Sequence, residues 1–274
     1  MIAQEIRVRT GLNHVEVHAQ LASTNDYAKR LARIDLLEAP GLILAECQTR
    51  GRGQQARSWF SDRDSLAVTF FYELEHSGGR KSEANRGTGV GLPMRLIPLV
   101  TADCLAEAIS SLHPTLRPSI KWPNDVLLDG RKVAGILVET VPRKAGTVVI
   151  IGVGVNVNQA DLSLPANVGD DGEAPIEATS LRQQLGQSSD RRRLLIQLAQ
   201  RLTDALISGT NSTADGLAGY SKKLSYLNEK ISIRQANKGI TVGRLVGISS
   251  EGAVIIDTAD GEKSFLSGSI RPSE

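Results

Sequence analysis

Two groups of basic residues stand where an anion could bind, and the first lies in a glycine-containing stretch. QTRGRGQQARS at residues 48–58 places Arg50, Arg52 and Arg57 beside two glycines. Glycine lets backbone N–H groups approach a ligand closely, and a guanidinium donates paired hydrogen bonds to a carboxylate or phosphate. This combination predicts an anion-binding loop. A solvated basic loop is the alternative, since no Gly-Lys-Ser/Thr follows as in a Walker loop.

The second group opens an apolar strand with two positive charges. RKVAGILVE at residues 131–139 begins with Arg131 and Lys132. Burying an ammonium costs several kcal/mol unless a negative group pairs with it. Lys132 therefore either extends to water or meets an anion.

Two other polar motifs have ordinary structural explanations that compete with a role in chemistry. KWPND at residues 121–125 is typical of a strand that ends in a turn, with Trp122 as a packing residue. Asn156, in GVGVNVN, is of a type that often caps a strand end. None of these signals identifies a site by itself.

A sheet must position these residues, because they lie at the ends of short apolar runs. Asp129-Gly130 predicts a two-residue hairpin, and STND at 23–26 predicts the start of a helix. The polar stretch after residue 46 is predicted to be a loop, and 76–91 a mobile surface insertion. The predicted strands are 14–18, 42–46, 65–74, 126–128, 133–140 and 148–158, and further helices are predicted over about 94–111, 180–186, 190–209 and 214–223.

The pattern of apolar runs and glycine-containing turns changes near residue 225. From Asn228 onward, short strand candidates alternate with glycine-containing turns, which predicts a small β-barrel. We therefore expect two domains, residues 1–225 and residues 226–274.

The composition of the chain limits the classes of function that it could have. The 274 residues are 41% hydrophobic and 23% charged, which is typical of a globular protein. With 32 Lys and Arg against 30 Asp and Glu, the net charge of +2 excludes a basic field across the whole domain, so we expect no nucleic-acid or membrane partner. The two cysteines are too few for a disulfide framework, and the sequence has no long apolar segment, so we expect a cytoplasmic protein.

Taken together and in order, the motifs resemble those of the biotin protein ligases. The set is STND, CQTRGRGQQARSWFS, KWPNDVLLDGRKVAGILVE and GVGVNVN, followed by ATSLRQQLG. The resemblance implies an α+β fold in which helices flank a mixed β-sheet, as in biotin/lipoate ligase-like catalytic domains, with an SH3-like C-terminal barrel. Only about twenty residues precede STND, too few for the DNA-binding domain of larger members, so we expect a ligase without a repressor role.

The resemblance also implies a reaction and its partners. Biotin and ATP, with Mg²⁺, would form biotinyl-5'-adenylate, which a lysine of a biotin carboxyl carrier domain would then attack. The carrier would belong to a biotin-dependent carboxylase. A homodimer is left open beside a monomer.

By the same resemblance, motif positions imply site residues. Lys132 and Arg52 are the expected catalytic residues, and the charge of Lys132 would be paired once an anionic ligand arrives. Expected contacts to biotin are Ser23, Thr24, Asn25, Gln48, Gly51, Arg52, Gly53, Gln54, Lys132 and Gly135. Expected contacts to ATP or the adenylate are Arg52, Arg57, Trp59, Asn124, Lys132 and Asn156.

One position departs from the family pattern. The family loop reads G-R-G-R, and Gln54 stands at the fourth position. Glutamine loses the charge and the paired hydrogen bonds of arginine, which puts tight retention of the adenylate in doubt.

Two rival functions remain open from sequence. One is a lipoate or octanoyl transferase of the same fold, against which KWPND and STND argue. The other is a non-catalytic module that binds anions or proteins, which would leave Lys132 and the arginine stretch without a chemical role.

Overall fold

The computed structural model describes residues 2–54, 57–74, 89–144, 146–162, 176–207, 219–235 and 239–273. In this part of the chain, the larger sheet contains eight strands. Seven follow one another in space: β1 (His14–His18), β2 (Gly41–Ala45), β5 (Ser65–Leu74), β10 (Gly146–Asn156), β9 (Arg131–Arg143), β8 (Asp125–Leu128) and β7 (Ser119–Lys121). The short β6 (Gly89–Val90) pairs with β5. The β1–β2 and β5–β6 pairs are parallel and the others antiparallel, so the sheet is mixed as expected.

Helices cover both faces of this sheet. They are α1 (Ile2–Thr10), α2 (Thr24–Arg33), α3 (Ile97–Leu112), α4 (Leu181–Leu185) and α5 (Arg191–Ile207), and a 3₁₀ turn at Met94–Leu96 leads into α3. Successive side chains of a strand point to opposite faces. Thus Phe70 of β5 packs in the main core with α3 and α5, whereas Phe71 packs with α2.

Local sequence explains the best-predicted boundaries. Ser23 caps α2 and accepts a hydrogen bond from the Asp26 backbone N–H at 3.4 Å. Asp129 and Gly130 have φ values of 47° and 73°, which a two-residue turn with left-handed backbone requires between β8 and β9. Each boundary fixes the direction in which a site residue points.

The C-terminal strands form a separate antiparallel sheet. They are β11 (Lys230–Gln235), β12 (Gly239–Ile248), β13 (Val254–Thr258), β14 (Gly261–Phe265) and β15 (Ser269–Pro272), in the spatial order β14-β13-β12-β11-β15. This small β unit packs on the larger sheet, because the Trp122 indole N–H donates to Gly252 O at 3.0 Å. Arg95 Nε also donates to Glu251 O at 2.7 Å.

Two segments differ from the sequence-based expectation. The stretch after residue 46, expected to be a loop, instead forms a hairpin of β3 (Gln48–Arg52) and β4 (Ser58–Ser61). Its polar strands lack the apolar alternation that marks a half-buried strand. Helix α1 was not predicted, and Ile6 is its fully buried anchor.

Parts of other predictions fall outside the described residues. These are positions 76–88 of the expected insertion and 214–218 of the last expected helix, whose residues 219–222 are helical. Within the described ranges, no helix is long and apolar enough to cross a membrane.

Candidate active site

A cavity of about 480 Å³ opens on the α2 side of the sheet, between the β3–β4 hairpin and the small β unit. Its floor comes from β9 and β10, and its walls come from the β3–β4 hairpin, the turn before β8, and residues 176–178. The predicted site residues that line it are Ser23, Thr24, Asn25, Gln48, Arg52, Gly53, Gln54, Arg57, Trp59, Asn124, Lys132, Gly135 and Asn156. The cavity therefore brings together all but one of them.

Gly51 is the exception. It lies opposite Trp59 in the β3–β4 register, and a Cβ there would collide with the Trp59 carbonyl oxygen. Its contribution is the close approach of the two strands. Arg50 is likewise not among the described residues that line the cavity.

Glycines make the floor of the cavity. Gly135 of β9 is opposite Gly154 of β10, and Leu137 is opposite Gly152. A Cβ at Gly152 would collide with the Asn25 amide, and one at Gly154 with the Trp59 indole. The alternating glycines of GVGVN thus leave room on one face of β10 while its valines fill the core on the other.

The start of α2 is held in place by hydrogen bonds to Gln48, Thr69 and Glu139. Gln48 Oε1 accepts bonds from the Thr24 backbone N–H at 2.8 Å and from the Thr24 hydroxyl at 3.1 Å. The Thr69 hydroxyl donates to Asn25 Oδ1 at 2.6 Å, and Asn25 Nδ2 donates to Glu139 Oε2 at 2.9 Å. Because Ser23, Thr24 and Asn25 are each 4% exposed, these bonds fix the polar end of the cavity before a ligand binds.

Arg52 is held by two carboxylates. Its guanidinium donates to Asp26 at 2.6 and 3.1 Å and to Glu139 at 3.1 and 3.2 Å. Lys29 Nζ lies 2.7 Å from Glu139 and 3.0 Å from Asp26. The cluster of two cations and two carboxylates orients Arg52 at the cavity.

The cluster also shifts the pKa of each carboxyl group. Burial alone would raise the pKa values of Asp26 and Glu139, but the hydrogen bonds and charges of Lys29 and Arg52 outweigh it, with Asn25 adding a bond to Glu139. Both pKa values are lowered, so both groups stay ionised near neutral pH.

Lys132 is paired without any ligand. Its Nζ lies 2.6 Å from Asp125 Oδ1 and 5.8 Å from the ring centroid of Trp59. The expectation that the charge of Lys132 waits for an anionic ligand is therefore wrong, because Asp125 begins the neighbouring strand β8 and supplies the counter-charge. Backbone bonds hold the same residue on the other side: the Lys132 N–H donates to Glu177 O at 2.7 Å, and the Thr179 N–H donates to Lys132 O at 2.9 Å.

Two asparagines of the predicted adenylate site make structural bonds. Asn124 Nδ2 donates to Ile136 O at 2.8 Å, and Asn156 Nδ2 donates to Thr179 O at 3.1 Å. Asn156 is thus a strand-end cap, as its alternative explanation required. Both side chains still line the cavity.

Sequence reasoning missed several charged residues of the site. Among them are Asp26, Lys121, Asp125, Glu139 and Arg271. STND contained Asp26, KWPND contained Lys121 and Asp125, and the two-residue period of β9 places Glu139 on the same face as Gly135, so four of them had a signal. Arg271 comes from β15, far away in the sequence, and had none.

Comparisons with known proteins agree with this geometry. Residues 17–156 match the biotin/lipoate A/B protein ligase family, and residues 226–271 match the biotin protein ligase C-terminal domain. The bifunctional ligase/repressor BirA of Bacillus subtilis (strain 168) is 30% identical over 97% of this chain and 78% of its own length. The biotin–[acetyl-CoA-carboxylase] ligase of Mycobacterium tuberculosis is 30% identical over 93% of this chain and 87% of its own length.

Solved structures give the same result. Biotin protein ligase from Aquifex aeolicus in complex with biotin and ATP superposes with a TM-score of 0.76, at 26% identity, covering 95% of this chain and 100% of that one. The expected α+β fold with a C-terminal antiparallel β unit is confirmed. The chain, with Arg52 and Lys132 at its cavity and its motifs in their expected order, belongs to the biotin protein ligase family.

Proposed function

We propose that this protein is an ATP-dependent biotin–[biotin carboxyl carrier protein] ligase. The observation that carries the proposal is one cavity in which Arg52 and Lys132 stand with a neutral polar end formed by Ser23, Thr24 and Gln48. Such a cavity suits a ligand with a carboxylate at one end and uncharged hydrogen-bonding groups at the other. Biotin, with its valerate chain and ureido ring, has that form.

In the first step, a biotin carboxylate oxygen attacks the α-phosphorus of ATP. The bond from that phosphorus to the bridging oxygen breaks, and pyrophosphate leaves. Two anions approach each other in this step, so fixed positive charge lowers the barrier most where they meet. Lys132 and Arg52 are the groups that we assign to this task, with Asp125 and the Asp26–Glu139 pair holding them in place.

In the second step, a carrier lysine in its neutral form attacks the acyl carbon of the adenylate. An amide bond forms, the bond to the phosphate oxygen breaks, and AMP leaves while the amine loses its proton. The glycine floor under the cavity lets the ligand lie close to the sheet. Trp59, Arg57, Asn124 and Asn156 line the part that we assign to the adenylate.

Magnesium enters with ATP in this proposal. Among the described residues, no group of three or more His, Cys, Asp or Glu side chains could hold a metal ion. Asp26, Asp125 and Glu139 are each paired with Lys or Arg. We therefore take the substrate to be the Mg²⁺–ATP complex, in which the phosphates and water bind the ion.

The remaining expectations fit this activity. We place the enzyme in the cytoplasm, where ATP is available and where its two free cysteines stay reduced. We also propose the division of the chain near residue 225, between the site-bearing part and the small β unit.

The test is the complete reaction. Purified protein, ATP, Mg²⁺, biotin and a biotin carboxyl carrier domain are incubated, and the intact mass of the carrier is measured. One added biotinyl group is the expected result, with a carrier whose target lysine is replaced by arginine as the matched control. Unlabelled lipoate should not compete with labelled biotin. An unmodified carrier, or equal competition by lipoate, would contradict the proposal.

A further inference from the structure

A second lysine, Lys121, also lines the cavity and is almost fully buried. It ends β7 directly opposite Asp125, the first residue of β8, so the two side chains share one face of the sheet. Lys121 is 5% exposed and Asp125 is 8% exposed. Two ammonium groups thus flank one buried carboxylate.

The geometry is asymmetric. Lys132 Nζ lies 2.6 Å from Asp125 Oδ1, whereas Lys121 Nζ lies 4.0 Å from Oδ2. The longer distance is that of an ion pair without a direct hydrogen bond. Each carboxylate oxygen therefore has a different cation as its partner.

This arrangement restricts the Asp125 carboxylate. The terminal torsion of an aspartate is broad, so one partner alone leaves the carboxylate free to turn. A cation at each oxygen defines the plane of the group. Because the Lys132 ammonium lies against Oδ1 of Asp125, a carboxylate whose plane is fixed also fixes the position of that ammonium.

Packing alone does not account for a lysine at this position. Burying an ion pair is often no better for stability than an apolar side chain of similar size. Burial disfavours the charged form of Lys121, and its charged neighbours act in both directions: Asp125 of β8 attracts the ammonium, while Arg271 of β15, Lys132 of β9 and Arg57 before β4 repel it. Stability alone would therefore not favour a lysine over an apolar side chain at this position.

We propose that Lys121 is a positioning residue, which acts through Asp125 to hold the Lys132 ammonium where the biotin carboxylate meets ATP. This inference rests on the proposed function, which assigns that contact to Lys132. A displacement of about 1 Å in a catalytic group can cost about 100-fold in rate. Loss of Lys121 should therefore lower the rate of adenylate formation more than it weakens binding.

The first experiment replaces the charge and keeps the length. Lys121→Met is compared with Lys222→Met, a control at an exposed lysine. Pyrophosphate exchange dependent on biotin and ATP gives kcat and KM. We expect kcat of Lys121→Met to fall about 10-fold or more with KM changed by less than about 3-fold, and the control to match wild type. An unchanged kcat, or a loss confined to KM, would overturn the inference.

The second experiment asks whether Lys121 acts through Asp125. In an Asp125→Asn background there is no carboxylate to hold, so Lys121→Met should add less than about a 3-fold loss. If the two losses instead multiply, Lys121 acts on the substrate by itself and the inference fails. This cycle also excludes a general folding defect, because such a defect would add to the loss in either background.

The third readout is the pH profile. Burial lowers the pKa of Lys121 to about 8, with Asp125 partly opposing the shift and Arg271, Lys132 and Arg57 adding to it. The wild-type kcat should decline above about pH 8 toward that of Lys121→Met, and the ratio of the two should stay constant if the inference is wrong.

Carrier labelling by the wild type is measured first. If it is absent, the proposed function fails. If it is present and Lys121→Met is equally active, only the inference on Lys121 fails.

Discussion

Lys121→Met should make the protein more stable near neutral pH, although the same change lowers activity. In the folded protein, burial holds the pKa of Lys121 at about 8, against an ordinary value of 10.5. At about 1.4 kcal/mol for each pH unit, that difference corresponds to about 3 kcal/mol of destabilisation at pH 7. Methionine removes the buried charge and keeps the length of the side chain, and the attraction of Asp125 is already contained in that pKa. We therefore expect a gain of about 3 kcal/mol at pH 7.

The sign of the pH dependence follows from the same pKa. Between about pH 8 and 10.5 the unfolded chain binds more protons at this lysine than the folded chain does, so the stability of the wild type rises with pH in that range. The gain from Lys121→Met is thus fully present below pH 8, and it should disappear by about pH 10.5.

Thermal unfolding by circular dichroism measures this difference. For a chain of this size, about 3 kcal/mol raises Tm by about 6–12 °C at pH 7. Wild type and Lys121→Met are compared in steps from about pH 6.5 to pH 10.5, with Lys222→Met as the control for removing an exposed lysine. A Tm difference that is independent of pH, or a variant less stable than wild type at pH 7, would refute the account of Lys121 as a strained buried charge.

Three further changes test the rest of the site. Lys132→Ala should lower the rate of pyrophosphate exchange by about 100-fold or more, since it removes a charge needed where two anions meet; near-wild-type exchange would contradict this. Glu139→Gln should weaken biotin affinity and cost about 1–2 kcal/mol of stability above pH 4.5. Because the pKa of Glu139 is lowered, the deficit should shrink as pH falls below that value, in calorimetric titration and thermal unfolding. Gln54→Arg should slow adenylate dissociation and reduce biotin incorporation into albumin, whereas equal values for both proteins would mean that Arg57, which lines the same cavity, already compensates.

The sequence predicted most of the larger sheet, because its strands are either apolar throughout or end at a strong turn. Asp129-Gly130 marked the β8–β9 hairpin, and STND marked the start of α2. The β3–β4 hairpin was missed because one face of it lines a cavity and the other is largely exposed, so neither strand shows an apolar alternation.

The sequence predicted which residues lie at the site, but it did not predict which of them form ion pairs with one another. Lys132 could be recognised as an unusual charge on a buried strand, but its partner Asp125 was hidden in a motif explained as a turn. Pairing depends on the register between β8 and β9, which shifts at Val126 and Leu127. An irregularity of this kind cannot be derived from the two-residue period of either strand.

The two tryptophans give the molecule a pair of native optical probes with separate meanings. Trp59 lies against Gly154 inside the cavity and under the Lys132 ammonium, so its emission should change when a ligand displaces that charge. Trp122 is 1% exposed, and its indole N–H is bonded to Gly252 of the small β unit, so its emission should redden only when that unit detaches and water enters. Since the chain contains 2 tryptophans, replacing either one by phenylalanine isolates the signal of the other. Ligand occupancy and detachment of the C-terminal unit can then be followed separately in one cuvette, without a label.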